Sequence, residues 1–210
     1  MATASQSLFN MTVASDNAGG NQGLLMPKLQ YRFRVNFLNF GVDAAGGLAL
    51  TKQVIDVARP QIQFQEITIP VYNSTLYLAG KYAWQPITVN VRDDASGTVS
   101  RAVGQQVQKQ LDFVEQASAA TGQDYKFQTN IEILDGGNGT TAPVVLETWE
   151  LYGCFVQTVN YNTLNYGTNE AVTIALTLRY DNAIQSPLAS GVGASIGRIL
   201  TGDSVTGLGA

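Results

Sequence analysis

The chain has 210 residues, of which 45% are hydrophobic and only 13% charged, and its net charge is −4. That length suits one domain with appendages and a core large enough to stand without disulfides, and the single cysteine, Cys154, excludes an intrachain bridge. The sequence has no histidine, which removes the commonest general base, the commonest metal ligand and every Ser-His or Cys-His pair. Its acidic balance argues against a sequence-specific nucleic-acid binder, which carries a basic patch.

Residues 1–26 read as an N-terminal extension, rich in Ala, Ser, Asn and Gly. Without a basic start and an apolar core it is not expected to be a signal peptide, and no apolar run approaches the ~20 residues of a membrane-spanning helix. A soluble protein made in the cytoplasm is expected. A β domain is expected over residues 27–182. Leu29, Tyr31, Phe33, Val35 and Phe37 alternate with polar residues, which predicts a strand with one buried face. Gly46-Gly47 reads as a turn and Leu50–Val57 as a short strand. From Pro60 onward, Ile62 and Phe64 share one parity and Ile67 and Ile69 the other, so a bulge is expected near Gln65-Glu66. Asn73-Ser74 and Ala79-Gly80-Lys81 read as bends, and between them runs a long aromatic arm. Ile87, Val89 and Val91 alternate as the next strand.

Val99, Val103, Val107, Leu111 and Val114 recur at steps of four and three, which predicts one helix within about Ser96–Ala120. Asp93, Asp94 and Ser96 are its N-cap candidates, and Gly122 its stop. Phe127 to Ile133, Pro143 to about Val159, and Val172 to Tyr180 are further strands by alternation. Residues 183–210 form a Gly-rich tail with more apolar side chains than a linker needs, Ile184 and Leu188 among them. Roughly seven strands and one helix predict a mainly β fold, a β-sandwich or split barrel, whose sheet edges must be paired or protected.

No catalytic, cofactor-binding or metal-ligating residue is expected. Asp93-Asp94 is better explained by a helix N-terminus that favours negative charge than by a metal site. Asp135-Gly-Gly-Asn-Gly lacks the later bidentate Glu of a calcium loop and reads as a hairpin loop. Gly80-Lys81 lacks the pattern of a phosphate-binding loop. Arg32 and Arg34 alternate with Tyr31 and Phe33, so charge and stacking fall on opposite faces and do not form a nucleic-acid strip. Cys154, in an apolar run, reads as a small core residue.

Several stretches together resemble the tail tube proteins of T4-like contractile-tailed phages. They are Lys28–Phe37, Ile67-Thr-Ile-Pro-Val-Tyr-Asn, the run from Leu78 through Trp84-Gln-Pro-Ile-Thr-Val to Asp93, and Ala171–Asp181. The resemblance covers about residues 27–182, and both ends depart from it. It implies six-membered rings in which each subunit adds strands to a continuous barrel. The rings stack into a tube inside a contractile sheath, and the tube delivers the genome without binding the DNA specifically. Sheath, baseplate and terminator proteins are the implied partners, and the virion, assembled in host cytoplasm, the implied location. On that basis the aromatic arm is expected to touch the next ring through Tyr72, Tyr77, Lys81, Tyr82 and Trp84, since interface cores are rich in aromatics. Polar strand positions Gln61, Gln63, Gln65, Glu147 and Glu150 are the candidate channel wall. The tail after Asn182 is expected to dock on a neighbouring subunit.

Two other functions fit the same composition. One is the tube subunit of a related secretion or injection system. The other is a carbohydrate-binding β-sandwich, which should present an exposed aromatic platform. A hydrolase is disfavoured by the missing histidines.

Overall fold

One long strand lies at the centre of a seven-stranded sheet and meets different neighbours along its two halves. The structure is a computed structural model that describes residues 28–42, 44–135, 143–187, 198–200 and 203–205. The first 26 residues, and most of the tail after Pro187, lie outside the described residues. The chain divides into two compact units, Met1–Arg32 and Phe33–Ala210. The described part of the first is a turn in which the Arg32 N–H donates to the Leu29 carbonyl at 3.2 Å. The strand expected from Leu29 therefore starts only at Phe33, and Tyr31 is exposed.

In chain order the second unit contains β1 (Phe33–Leu38), α1 (Ala44–Gln53), β2 (Val54–Val57), β3 (Gln61–Val71), β4 (Ser74–Gln85) and β5 (Ile87–Arg92). There follow α2 (Thr98–Gln110), β6 (Leu111–Asp112), β7 (Ala117–Ser118), α3 (Gly122–Tyr125) and β8 (Phe127–Leu134). The last elements are β9 (Val145–Asn160), β10 (Thr173–Arg179), β11 (Asn182–Pro187), β12 (Arg198–Leu200) and β13 (Asp203–Val205). A seven-stranded sheet runs β1-β8-β9-β10-β5-β2, with β11 also paired to β9. All pairings in it are antiparallel. The fold is mainly β, as the alternation predicts.

β9 changes partners along its length. On one side it pairs with β8 as far as Cys154; on the other it pairs with β11 through Tyr152 and with β10 from Phe155. The bend falls at Gly153, whose φ is +66°. A side chain there would overlap the Asp181 carboxylate, which sits against the glycine at the break between β10 and β11. The Asp181 N–H donates to the Tyr152 carbonyl at 3.0 Å, and its carboxylate pairs with Lys126 at 2.6 Å. Strands that change sheet through such irregularities form the corners of sandwiches.

The inward positions of the strands meet in one core. Val35 and Phe37, Ile87, Val89 and Val91, Phe127 and Ile131, and Ile174, Leu176 and Leu178 are all buried. Trp149, Leu151, Cys154 and Val156 of β9 join them, and the Phe37, Phe40 and Phe127 rings pack with centroids 5.0–6.5 Å apart. Cys154 is a core residue as expected; burial pushes its thiol up to about 11.

Three expectations are corrected. Gly46-Gly47 is not a turn but lies inside α1, which extends through Leu50, so the strand predicted from Leu50 is confined to β2. The glycines serve close packing: a Cβ on Gly47 would lie 2.6 Å from the Phe37 carbonyl oxygen, and one on Gly46 3.3 Å from the Ala102 Cβ. α1 can therefore lie directly on β1 and α2. The central helix stops at Gln110, well short of Ala120, and Val114 is 89% exposed in the turn between β6 and β7. The Gln110 side chain explains the stop. Its amide donates to the Val156 carbonyl and accepts from the Val156 N–H, both at 2.9 Å, as a neighbouring strand would. The residues from 183 onward do not begin as a tail: through Pro187 they form β11 on their own sheet, with Ala183 buried.

At the start of α2, Gly97 holds the N-cap with φ +66° while Asp94 supplies the acceptor. Its carboxylate accepts from the hydroxyls of Ser96 and Thr98 and from the Val99 N–H, as the helix-start reading requires. Buried Gln106 ties three segments together. It accepts from the Gly41 N–H at 2.9 Å and donates to the Tyr125 carbonyl at 2.6 Å.

Two outcomes follow from these contacts. Gly153→Ala is expected to lower stability by about 1–2 kcal/mol through its left-handed φ, with a further loss as Asp181 leaves Lys126; urea unfolding measures it. The hydrogen bonds from Ser96, Thr98 and Val99 lower the Asp94 pKa from 3.8 to about 2. Ionised Asp94 therefore contributes stability that is complete above pH 3.8 and lost as pH falls through about 2. Asp94→Asn is expected to flatten the stability profile in that window, read by denaturant unfolding at a series of pH values.

Candidate assembly surface

β3 and β4 form a separate two-stranded hairpin that turns at Tyr72-Asn73. Such a hairpin has no second layer of its own and is marginal in water unless something covers it. Its root is anchored in the core. Trp84 is 5% exposed, its indole N–H donates to the Asn182 side-chain oxygen at 3.2 Å, and its ring packs on Tyr180 at 5.8 Å. Ile62, opposite Trp84, is partly buried against the same core. From this root an aromatic series runs outward, Trp84 to Tyr82 at 6.4 Å and Tyr82 to Phe64 at 6.3 Å.

The irregularity expected near Gln65-Glu66 is present but lies on the opposite strand. Phe64 pairs with Tyr82 and Glu66 with Ala79, so β4 advances three residues while β3 advances two. The extra residue falls at Gly80-Lys81, within an otherwise continuous β4. Gly80 is needed there: a Cβ would lie 3.0 Å from the Gln65 carbonyl oxygen and 3.2 Å from Ile67 Cγ1. β3 thus keeps its period of two, and its apolar residues change face between Phe64 and Ile67.

The sequence-predicted contact residues separate into two groups. Tyr72, Tyr77, Lys81 and Tyr82 are exposed and available to a partner. Trp84 is a correction: it is a core residue that holds the arm in place, because it sits where β4 enters the sandwich next to β5. The candidate wall residues are not gathered either. Gln61, Gln63 and Gln65 lie on the arm, where the Gln85 amide donates to Gln63 at 2.9 Å. Glu147 and Glu150 lie on β9 with opposite parity. Glu150 points outward and accepts from the Tyr152 hydroxyl. Glu147 is a second correction. It is 4% exposed on the core side with Trp149 and accepts from the Trp149 indole at 2.8 Å and the Gln185 amide at 2.7 Å.

Sequence reasoning missed the aliphatic side of the arm. Ile67, Ile69, Val71, Leu76 and Leu78 share one face by register and are each 39–51% exposed. The signal was there, since two apolar-alternating stretches flank one turn with no further strand to cover them. It also missed the outward face of β1 and β8, where Arg34 pairs with Glu132 at 2.5 Å and Asn36 donates to Glu132 at 3.2 Å. Two smaller apolar projections accompany the arm. Phe113 and Val114 stand at the β6–β7 turn, and Leu164 and Tyr166 on the loop between β9 and β10, beside a cavity of about 420 Å³.

The arm is thus anchored in the core at its root and carries uncovered apolar side chains toward its tip. No protein-family model matches the chain, and no curated protein matches it. Solved structures do. A chain of the extracellular contractile injection system PVC sheath-tube complex in its extended state matches with a TM-score of 0.56 at 14% identity, over 90% of this chain and 100% of that one. This chain has the fold of contractile injection particle subunits. A chain of the anti-feeding prophage cap, described as the tube terminating cap, gives 0.53 at 15% identity over 89% and 99%. One from that prophage's baseplate gives 0.51 at 16% over 79% and 99%. The likeness agrees, at the level of fold, with the resemblance carried by the sequence motifs.

The two roles within the arm are separable. Trp84→Ala is expected to cost about 3–5 kcal/mol of stability. Tyr77→Ala, with its side chain 62% exposed, is expected to change stability by at most about 0.5 kcal/mol. Thermal unfolding of the two variants beside the parent checks this.

Proposed function

We propose that this chain is a structural tube subunit of a contractile machine, a phage tail tube protein that closes into hexameric rings which stack around a channel for genome delivery. The observation that carries this reading is the uncovered arm on a subunit whose fold is that of contractile injection particle chains. An aliphatic sheet face left half in water on a core-anchored hairpin is costly for a monomer and is covered when copies associate. Cyclic closure also removes sheet edges, because a head-to-tail interface that closes leaves none exposed. In this reading the ring is lined by polar strand faces, the sheath surrounds it, and baseplate and terminator proteins cap its ends within the virion. DNA passes through without specific contact, consistent with the net charge of −4, since phosphate binding rests on Lys and Arg. The chain is not an enzyme in this reading, supported by the absence of histidine from its sequence.

A second reading is the tube of an injection system that delivers something other than a genome. It is favoured by the particles in which the matching chains were solved, PVC and the anti-feeding prophage. Carbohydrate binding through Phe64, Tyr77 and Tyr82 is less well supported, because Phe64 and Tyr82 pack on each other rather than forming an open platform.

Purified full-length protein is expected to form rings or tubes by negative-stain microscopy, with a mass that rises with concentration in light scattering. A chain that stays monomeric at high concentration and shows no rings would remove both tube readings.

A further inference from the structure

The arm's hydrophobic side is not one stripe. By register, one face carries Ile62, Phe64, Tyr82 and Trp84 at the root and continues outward as Glu66, Thr68, Thr75 and Tyr77. The other face carries Gln61, Gln63, Gln65 and Gln85 at the root and continues as Ile67, Ile69, Val71, Leu76 and Leu78. At the root, Trp84 and Ile62 turn into the subunit's own core, and Phe64 and Tyr82 extend that face outward while still more than half exposed. The tip's apolar residues lie on the opposite side, away from that core. The extra residue at Gly80-Lys81 marks the change.

Resting on the assembly reading above, we propose that the arm tip docks on a second copy of this chain through its Ile67, Ile69, Val71, Leu76 and Leu78 face, and that the Tyr77 face stays outside that contact. The aliphatic face offers five large side chains in one plane, each about half exposed. The opposite face at the tip offers Tyr77 beside Glu66 and two threonines. Chemistry points to the occupant. None of the paired positions on the aliphatic face is Asp, Glu, Lys or Arg, so it has nothing for nucleic-acid phosphates or anionic lipid headgroups to pair with. It matches an uncharged protein surface. The chain supplies such surface itself, with 13% charged residues and outward rows such as Thr173, Ala175 and Thr177 of β10.

The chain's own thiol makes the test simple. Cys154 is fully buried and its thiol pushed up to about 11, so in the folded protein a maleimide reports only on an introduced cysteine. Ile69→Cys and Thr68→Cys are adjacent and face opposite ways. In dispersed protomers both are expected to label at similar rates. In assemblies of the purified chain, Ile69→Cys is expected to slow by about ten-fold or more and Thr68→Cys by less than about two-fold. A block of assembly by Ile69→Cys but not by Thr68→Cys supports the same face. As a second arm, Leu76→Lys is expected to raise the concentration needed for assembly about ten-fold or more, and Tyr77→Lys to leave it within about two-fold. Equal protection of both cysteines, or stronger protection of Thr68→Cys, overturns the choice of face while leaving the assembly reading in place. Assembly that needs another protein or a vesicle overturns the second copy as occupant. A purified wild-type chain that stays monomeric in sedimentation overturns the assembly reading itself.

Discussion

The rest of the structure depends on how β9 changes partners along its length. Gly153 sits where β9 passes from β11 to β10, and the positive φ is accessible there because no side chain has to share the space with Asp181. Lys126, just ahead of β8, neutralises the carboxylate. Trp149, Leu151, Cys154 and Val156 then face the core on both sides of the bend, with Ile174, Leu176 and Leu178 of β10 among their companions. The Gln110 amide on the Val156 backbone carries the same corner into the helical layer.

What local pattern encodes was legible in the sequence. Strands β5, β8 and β10 follow from alternation alone, because each has one face in the core and one in water, and the period of two expresses that directly. The core place of Cys154 and the role of Asp94 as an acceptor ahead of α2 were legible from local pattern too. What failed depends on contacts distant in the chain. Gly46-Gly47 looks like a turn to any local rule, and only Phe37 and Ala102 show why a helix needs glycine there. The helical period runs on through Leu111 and Val114, yet Gln110 is captured by β9. Glu147 looks like a surface residue until Trp149 and Gln185 are placed beside it.

The same limit shaped the reading of the arm. Its aromatics stand out by residue type, which alone places Trp84 with Tyr72, Tyr77 and Tyr82. Structure divides them by position, since Trp84 enters the sandwich and the tyrosines do not. The change of parity after Phe64 is visible in the sequence, but the extra residue is on β4, because a register has two partners and one strand shows only its own half. Once Glu66 is paired with Ala79, the slip becomes a change of face, and the plain aliphatic residues become the prominent surface.

The uncharged character of that surface has a thermal and an ionic consequence. Contacts made by aliphatic side chains draw on the hydrophobic effect, which weakens on cooling. Contacts made by charges weaken instead with added salt, as their fields are screened within about 8–10 Å. An array of subunits held by Ile67, Ile69, Val71, Leu76 and Leu78 would therefore loosen in the cold and tolerate brine, the reverse of one held by ion pairs.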